Sequence, residues 1–247
     1  MRSALRFLKQ LVVTLLLIVL LGLILFGIWF GWQGHRLYEE TVRFHPIGEM
    51  YESIRSQDDF TAYNEMPQTY INAVVSVEDR RFAVHHGVDP VSIGRALLMD
   101  LKTRSLAEGG STLTQQLAKN ELFTQEKRMA RKSAEMFAAL EIEKRYDKQQ
   151  IFEMYANTIY FGSGYYGITQ AAQGYFGKTP SELSDAEAVL LAGLPNAPSL
   201  YSPNTNPDLA LKRTGVVLQR MVEAGTLTRE QADELENEVA ALEVMEK

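Results

Sequence analysis

The sequence predicts a mainly α-helical protein in which one apolar, membrane-crossing helix precedes a single helical body. Three observations carry this. Residues 11–30 form an uninterrupted uncharged run rich in Leu, Ile and Val, about the twenty residues that a helix needs to cross a hydrocarbon core. Beyond it, apolar residues recur at three-and-four spacing, and capping boxes stand at Thr112-x-x-Gln115, Ser184-x-x-Glu187 and Thr228-x-x-Gln231. No convincing strand-turn-strand pattern interrupts them.

Arg2, Arg6 and Lys9 precede the apolar run, and Trp29 and Trp32 stand at its far end. Residues 1–10 are therefore expected on the cytoplasmic side, 11–32 in the membrane and everything after them outside. The run is too long for a cleavable signal peptide, and no Ala-x-Ala site follows it. Residues 33–66 read as a polar, aromatic-containing stem without clear periodicity, and 67–247 as the folded domain.

Within that domain, helices are expected over 70–85, 90–102, 113–123, 130–146, 148–157 and 166–176. Ser184 opens the next helix, which stops before Pro195. Residues 196–207, with Pro198, Pro203 and Pro207, form a rigid irregular segment. Helices over 208–224 and from Glu230 onward close the chain.

There are no cysteines, so an exported body must draw its stability from its core, which a chain of 247 residues can supply. The formal net charge of -6 argues against a nucleic-acid binder, which shows a basic patch or stripe. Basic residues concentrate locally instead, at Lys102, Arg104, Lys119, Lys127, Arg128, Arg131 and Lys132. Such a grouping suits a diphosphate better than a polyanion.

Glu78 falls on the apolar stripe of Ile71, Val74, Val75 and Phe82. Burying an ionised group without partners is costly, so the position asks for a reason. One reading is a general base among apolar neighbours, with His85 two turns along the same face and Asp79 beside it. The other is a core Glu tied to an Arg such as Arg81.

A second run, from Gly109 to Asn120, opens a helix whose Thr112, Gln116 and Lys119 share one face. A helix N-terminus, a hydroxyl, an amide and a cation along one edge suit anionic oxygens and sugar hydroxyls. Taken alone, the same run also describes a well-capped surface helix. It lacks the Gly-Lys-Ser/Thr ending of a P-loop, so nucleotide hydrolysis is not indicated. Arg131 and Glu135, one turn apart, would by themselves be a routine surface pair. Joined to Glu78 they complete two carboxylates and at least two cations, the set needed to activate a sugar hydroxyl and stabilise a departing pyrophosphate.

With these runs in place, the chain resembles the peptidoglycan glycosyltransferases, glycosyltransferase family 51. These occur as monofunctional enzymes and as the first domain of class A penicillin-binding proteins. The resemblance covers roughly residues 67–227 and rests on five ordered motifs. They are EDRRFAVHHGVD from Glu78, GGSTLTQQLAKN from Gly109, RKSAE from Arg131, EMYANTIYFG from Glu153 and AEAVLLAGLPNAPSLYSP from Ala186. The motifs depart from the family at Ala83, where an aromatic residue is usual, and at Ala156, where Leu is usual.

The resemblance implies a lysozyme-like body with a smaller jaw facing the membrane. Leu97, Leu98, Met99 and Leu101 are candidates for that jaw, although pattern alone reads them as a buried helix face. It also implies a reaction: the 4-hydroxyl of the N-acetylglucosamine of lipid II attacks C1 of the growing lipid-linked glycan. Undecaprenyl pyrophosphate leaves and the anomeric centre inverts. Carried over by position, Glu78 is the base, Glu135 the second acidic residue of the donor site, and Lys119 and Arg131 the pyrophosphate-contacting cations. Thr112, Gln116, Asp79, Phe82 and His85 match cleft residues.

The chemistry is self-consistent. One carboxylate and a cationic clamp suffice for glycosyl transfer from a pyrophosphate, whereas a glycosidase needs a carboxyl acid as well. No cofactor is firmly implied. A divalent cation, Mg or Mn, would ride on the substrate pyrophosphate, because no His/Asp/Glu cluster has ligand spacing. The implied partners are lipid II, the glycan strand, the bilayer of a bacterial inner membrane and other proteins of cell-wall synthesis, with no nucleic acid. About twenty residues follow Leu227, too few for a penicillin-binding domain, so the chain as it stands is expected to be monofunctional. A lytic enzyme on the same fold and a non-catalytic scaffold are the alternatives from other classes.

Overall fold

The computed structural model describes residues 2–103, 109–123, 129–242 and 244. It is helical almost throughout. α1 (Arg2–Phe44) is one helix of 43 residues whose apolar half is exposed from Leu11 to Ile28. By length and composition it can cross a membrane. α1 continues beyond its apolar half and lies along α6 (Met129–Arg145). The rings of His35 and Tyr38 sit 5.1 and 6.2 Å from that of Phe137.

The stretch 33–66, read as a stem without periodicity, is thus mostly folded. α1 occupies it to Phe44 and α2 (Ile47–Arg55) follows, burying Ile47, Met50 and Ile54. The period is hard to read in the sequence because the face that α1 turns inward mixes Gly34 and His35 with Tyr38 and Val42, the last two packed on the core.

α3 (Gln68–Glu78) is shorter than expected. The predicted helix runs to His85, but the chain leaves helical geometry at Asp79, with φ -154° and ψ 71°. Tertiary bonds decide this, since the Asp79 carboxylate reaches the backbone N–H of Leu113 at 3.0 Å. α4 (Pro90–Thr103) and α5 (Leu113–Leu122) begin where expected. Thr112 caps α5 reciprocally: its hydroxyl accepts from the Gln115 N–H, while the Gln115 amide oxygen accepts from the Thr112 N–H. Ser184 and Thr228 do the same for α9 (Asp185–Gly193) and α11 (Arg229–Ala240). Asp147 caps α7 (Lys148–Thr158) in the same way.

α7 and α9 form the centre. Ile151, Phe152, Met154, Tyr155 and Ala156 of α7 are buried, and α9 is buried from Ala186 to Gly193. Beyond Glu187, which Lys178 pairs, α9 is apolar on every side and so lies inside, between α3, α10 (Pro207–Ala224) and α11.

One feature departs from the all-helical expectation. Tyr160–Gly162 (β1) and Tyr165–Tyr166 (β2) pair antiparallel around Gly162-Ser163-Gly164, just before α8 (Gly167–Phe176). Strands of three and two residues are too short to show alternation. Among the jaw candidates, Leu98 is 70% exposed and Met99 is also exposed, so this part of α4 is not the buried face that its pattern suggested. The side chains of Leu97 and Leu101 lie outside the described residues.

Candidate active site

The end of α3, the first turns of α4, one face of α5, the irregular segment after α9 and one face of α10 line a cleft of about 510 Å³. Its walls carry Arg80, Arg95, Lys119, Arg213 and Arg220 against the carboxylates of Glu78 and Asp79, with Thr112, Gln116, Asn196 and Tyr201 between them. This is a cationic concavity with the Glu78 carboxylate at its floor, an arrangement suited to a diphosphate and sugar hydroxyls.

Glu78, the last residue of α3, provides that floor; its side chain is 9% exposed. Gln116 Nε2 donates to Glu78 Oε2 at 2.9 Å, and Arg213 Nη2 donates to Oε1 at 3.1 Å. The sequence reading set a base against a core Glu tied to Arg81. The arginine is Arg213 instead, because Arg81 Nε turns away to Asp89 Oδ2 at 3.0 Å. The Glu78 pair also opens into the cleft and so is compatible with both readings.

His85 does not share the face of Glu78, since the helix has ended before it. Its Nε2 lies 2.8 Å from Asp79 Oδ2. The Gly87 N–H donates to its Nδ1 at 3.2 Å, which assigns the ring proton to Nε2, facing Asp79. Asp79 Oδ2 also accepts the Leu113 N–H at the start of α5, a favourable place for a carboxylate. Asp79 and His85 therefore brace the junction of α3 and α5, and so set Glu78 opposite Gln116.

Thr112 strengthens the same junction. It is buried, and its hydroxyl donates to the Gly87 carbonyl at 2.6 Å. Gly87 has φ +89°, and a Cβ there would stand 2.6 Å from the Ala139 carbonyl oxygen, so only glycine fits this approach. Phe82 is buried too, with Lys148 Nζ 4.5 Å above its ring. It packs as core and does not face the cleft.

Glu135 is 2% exposed and lies beneath the cleft wall. Arg131 Nε stands 3.0 Å from its Oε1 and Lys132 Nζ 3.1 Å from its Oε2. Lys132 Nζ also donates to Ser111 Oγ at 2.6 Å, and Ser111 lines the cleft. Lys119, half-buried, reaches the cleft from α5; burial pulls its ammonium below the usual lysine range, Lys132 and Arg131 lower it further, and Glu135 and Glu78 oppose them.

Of the predicted site residues, the fold brings Glu78, Asp79, Thr112, Gln116 and Lys119 to the cleft. Phe82, His85 and Glu135 sit behind it, and Arg131 pairs with Glu135. The side chains of Lys102, Arg104, Lys127 and Arg128 lie outside the described residues. Sequence reasoning missed Arg95, Arg213 and Arg220, which lie in none of the quoted motifs, and gave no role to Arg80, Asn196 and Tyr201, which lie inside the motifs beginning at Glu78 and Ala186. Among the described residues, no group of three or more His, Cys, Asp and Glu side chains is placed to hold a metal.

Comparison with known proteins follows the same lines. The family described as Transglycosylase matches residues 45–222, which takes in the end of the stretch read as stem. Penicillin-binding protein 1A of Aquifex aeolicus is 47% identical over 191 residues, which are 77% of this chain and 26% of that protein. Penicillin-binding protein 1A of Haemophilus influenzae is 37% identical over 229 residues, 92% of this chain and 27% of that protein. The crystal structure of the Haemophilus influenzae protein aligns with 36% of this chain and 13% of its own at 41% identity, with a TM-score of 0.34. The chain spans about a quarter of the length of these curated relatives. With the family match running through most of its length, and with the motif residues Glu78, Thr112, Gln116 and Lys119 meeting in one cleft, the chain belongs to the transglycosylase family.

Proposed function

We propose that this chain polymerises peptidoglycan glycan strands, moving the growing lipid-linked glycan onto the 4-hydroxyl of the N-acetylglucosamine of lipid II with inversion and releasing undecaprenyl pyrophosphate. The observation that carries the reading is a carboxylate, Glu78, held at the floor of a cleft lined by Arg80, Arg95, Lys119, Arg213 and Arg220. A sugar hydroxyl is a poor nucleophile at neutral pH, and a positioned base is worth about two to four powers of ten in rate. Glu78 takes the proton as the hydroxyl oxygen bonds C1. Both partners of Glu78 are donors, which suits a carboxylate that accepts a proton and not the acid that a lytic enzyme requires.

Lys119 and Arg131 neutralise the pyrophosphate as its bond to C1 breaks. Glu135, buried under them, acts through Arg131 and Lys132 by fixing their direction. Asp79, His85, Thr112 and Phe82 hold the frame, and Gln116 aligns the base. A divalent cation, Mg or Mn, arrives with the substrate pyrophosphate where one is used.

In this reading residues 1–10 are cytoplasmic, 11–32 cross a bacterial inner membrane once, 33–66 join the span to the body, and 67–247 form the extracytoplasmic catalytic domain. The basic residues Arg2, Arg6 and Lys9 support the orientation. The exposed Leu98 and Met99 support a jaw against the bilayer, where a lipid-linked substrate would enter. Other cell-wall synthesis proteins are the expected protein partners.

The test is a gel of products from labelled lipid II and detergent-solubilised protein beside Glu78→Gln. A glycan ladder from the parent and none from the variant is expected. Release of soluble fragments from preformed peptidoglycan, with no ladder, would replace the polymerase with a lytic enzyme; lipid II left unchanged by the parent would leave a scaffold.

A further inference from the structure

Arg213 lies 135 residues from Glu78 and belongs to none of the motif residues assigned a role above. Its side chain is held in three ways. Nε donates to the Gly193 carbonyl at the end of α9, at 3.2 Å. The guanidinium carbon sits 5.8 Å from the centroid of the Tyr201 ring. Nη2 donates to Glu78 Oε1 at 3.1 Å. Fixed at one end to a backbone carbonyl and an aromatic ring, and only 13% exposed, the group delivers its charge to one place. Gln116 takes the other oxygen of Glu78, so the carboxylate is gripped on both sides and retains one lone pair on each oxygen for a substrate.

We propose that Arg213 is the positioning residue of the base: it fixes the plane in which Glu78 meets the acceptor hydroxyl. The proposal rests on the reading of Glu78 as the base. In the transfer the acceptor O–H bond breaks and its proton passes to Glu78, the acceptor oxygen bonds C1, and the bond from C1 to pyrophosphate oxygen breaks with its electron pair leaving on the phosphate. The proton then passes from Glu78 to water through the open cleft, so the base is reset where it stands.

The other groups around Glu78 do not supply this charge in the same way. Lys119 of α5 faces Glu78 across the cleft, but burial weakens its hold on a proton. Tyr70 of α3 and Tyr155 of α7 lie behind it, and burial keeps both hydroxyls neutral. Asp79 is engaged with Leu113 and His85. On α9, which packs on both α3 and α10, Glu187 is taken by Lys178. Arg80 lines the cleft from the residue after Asp79, while the donors to Glu78 are Gln116 and Arg213.

The test measures initial rates on labelled lipid II against substrate concentration, for the detergent-solubilised full chain and for Arg213→Gln and Arg213→Lys. Loss of the guanidinium grip should lower kcat by about tenfold or more, with KM little changed. Lysine keeps the charge but not the planar fork that ties Gly193 to Glu78, so Arg213→Lys should also show a reduced kcat at the parent KM. A raised KM with parent kcat would place Arg213 on the substrate and overturn the proposal, as would a parental kcat in either variant. Should Arg213→Gln fail to fold in a thermal melt, Arg213→Lys decides alone: parental kcat overturns the proposal, and reduced kcat with unchanged KM supports it. A parent that makes no glycan overturns the polymerase reading itself, whereas an active parent with unmoved variants removes only the role of Arg213.

Discussion

Gly34 of α1 lies directly against Ser133 of α6, so closely that a Cβ built on Gly34 would stand 2.2 Å from the Ser133 Cβ. Ser133 follows Arg131 and Lys132 and precedes Glu135 by two residues. The helix that can cross a membrane is thereby seated on the helix that carries the cations near the cleft. Gly34→Leu should force the two helices apart, at a cost of about 1–3 kcal/mol. The expected result is a lower melting temperature in detergent and faster amide exchange over α6. Parental exchange in α6 would show that the contact does not hold it.

Thr112 joins the start of α5 to the loop after α3. Thr112→Ala removes both the cap on Gln115 and the bond to the Gly87 carbonyl. The loss should be about 1–2 kcal/mol in chemical denaturation, since a buried carbonyl is left without its donor. Thr112→Ser keeps the hydroxyl and should recover most of that stability; an equal loss in both variants would assign the effect to packing of the methyl group.

Asp89 sits before α4, buried, and accepts from Val91 N–H, Ser92 Oγ and Arg81 Nε at 3.0, 2.7 and 3.0 Å. Burial alone would push its carboxyl up, but the hydrogen bonds from Ser92 and Val91 and the charge of Arg81 outweigh it and hold the carboxyl below its ordinary value. The folded state therefore binds this proton less readily than the unfolded chain. Its stabilisation is complete above the ordinary carboxyl value of about 3.9 and is lost as pH falls through the lower folded value. Asp89→Asn should melt below the parent at neutral pH and approach it in acid. A gap in melting temperature that stays constant with pH is the result that refutes this.

Lys119 is pulled below the usual lysine range chiefly by burial. If its ammonium holds the pyrophosphate, activity on lipid II needs the protonated form, and the alkaline limb should begin below the ordinary lysine value of about 10.4. Arginine does not deprotonate in this range, so Lys119→Arg, where active, should lose that limb. A limb that persists in the arginine variant belongs to another group.

Much of this fold is visible in local sequence because its causes are local. Capping boxes at Thr112, Ser184 and Thr228 need only side chains three residues apart, and they mark α5, α9 and α11 within a residue or so. The end of α3 is not local: Asp79 leaves the helix for the Leu113 N–H and His85, partners that no window around residue 79 reveals. The hairpin at Tyr160–Tyr166 is too short for alternation, and the part of α1 beyond its apolar run meets α6 through Gly34, His35 and Tyr38, too few positions to print a period.

The sequence by itself determined the helical class, the long apolar helix, the family and a minority of the cleft's lining, Glu78, Asp79, Thr112, Gln116 and Lys119, because periodicity, caps and ordered motifs act over a few residues each. Only the tertiary structure decided which of those residues face the cleft. It buried Glu135 beneath Arg131 and Lys132, turned Phe82 and His85 into the frame, and brought Arg213 across 135 residues to the carboxylate of Glu78. The reason is physical: a buried charge is stabilised by whichever opposite charge the packing of helices sets beside it, and packing joins residues without regard to their separation in the chain.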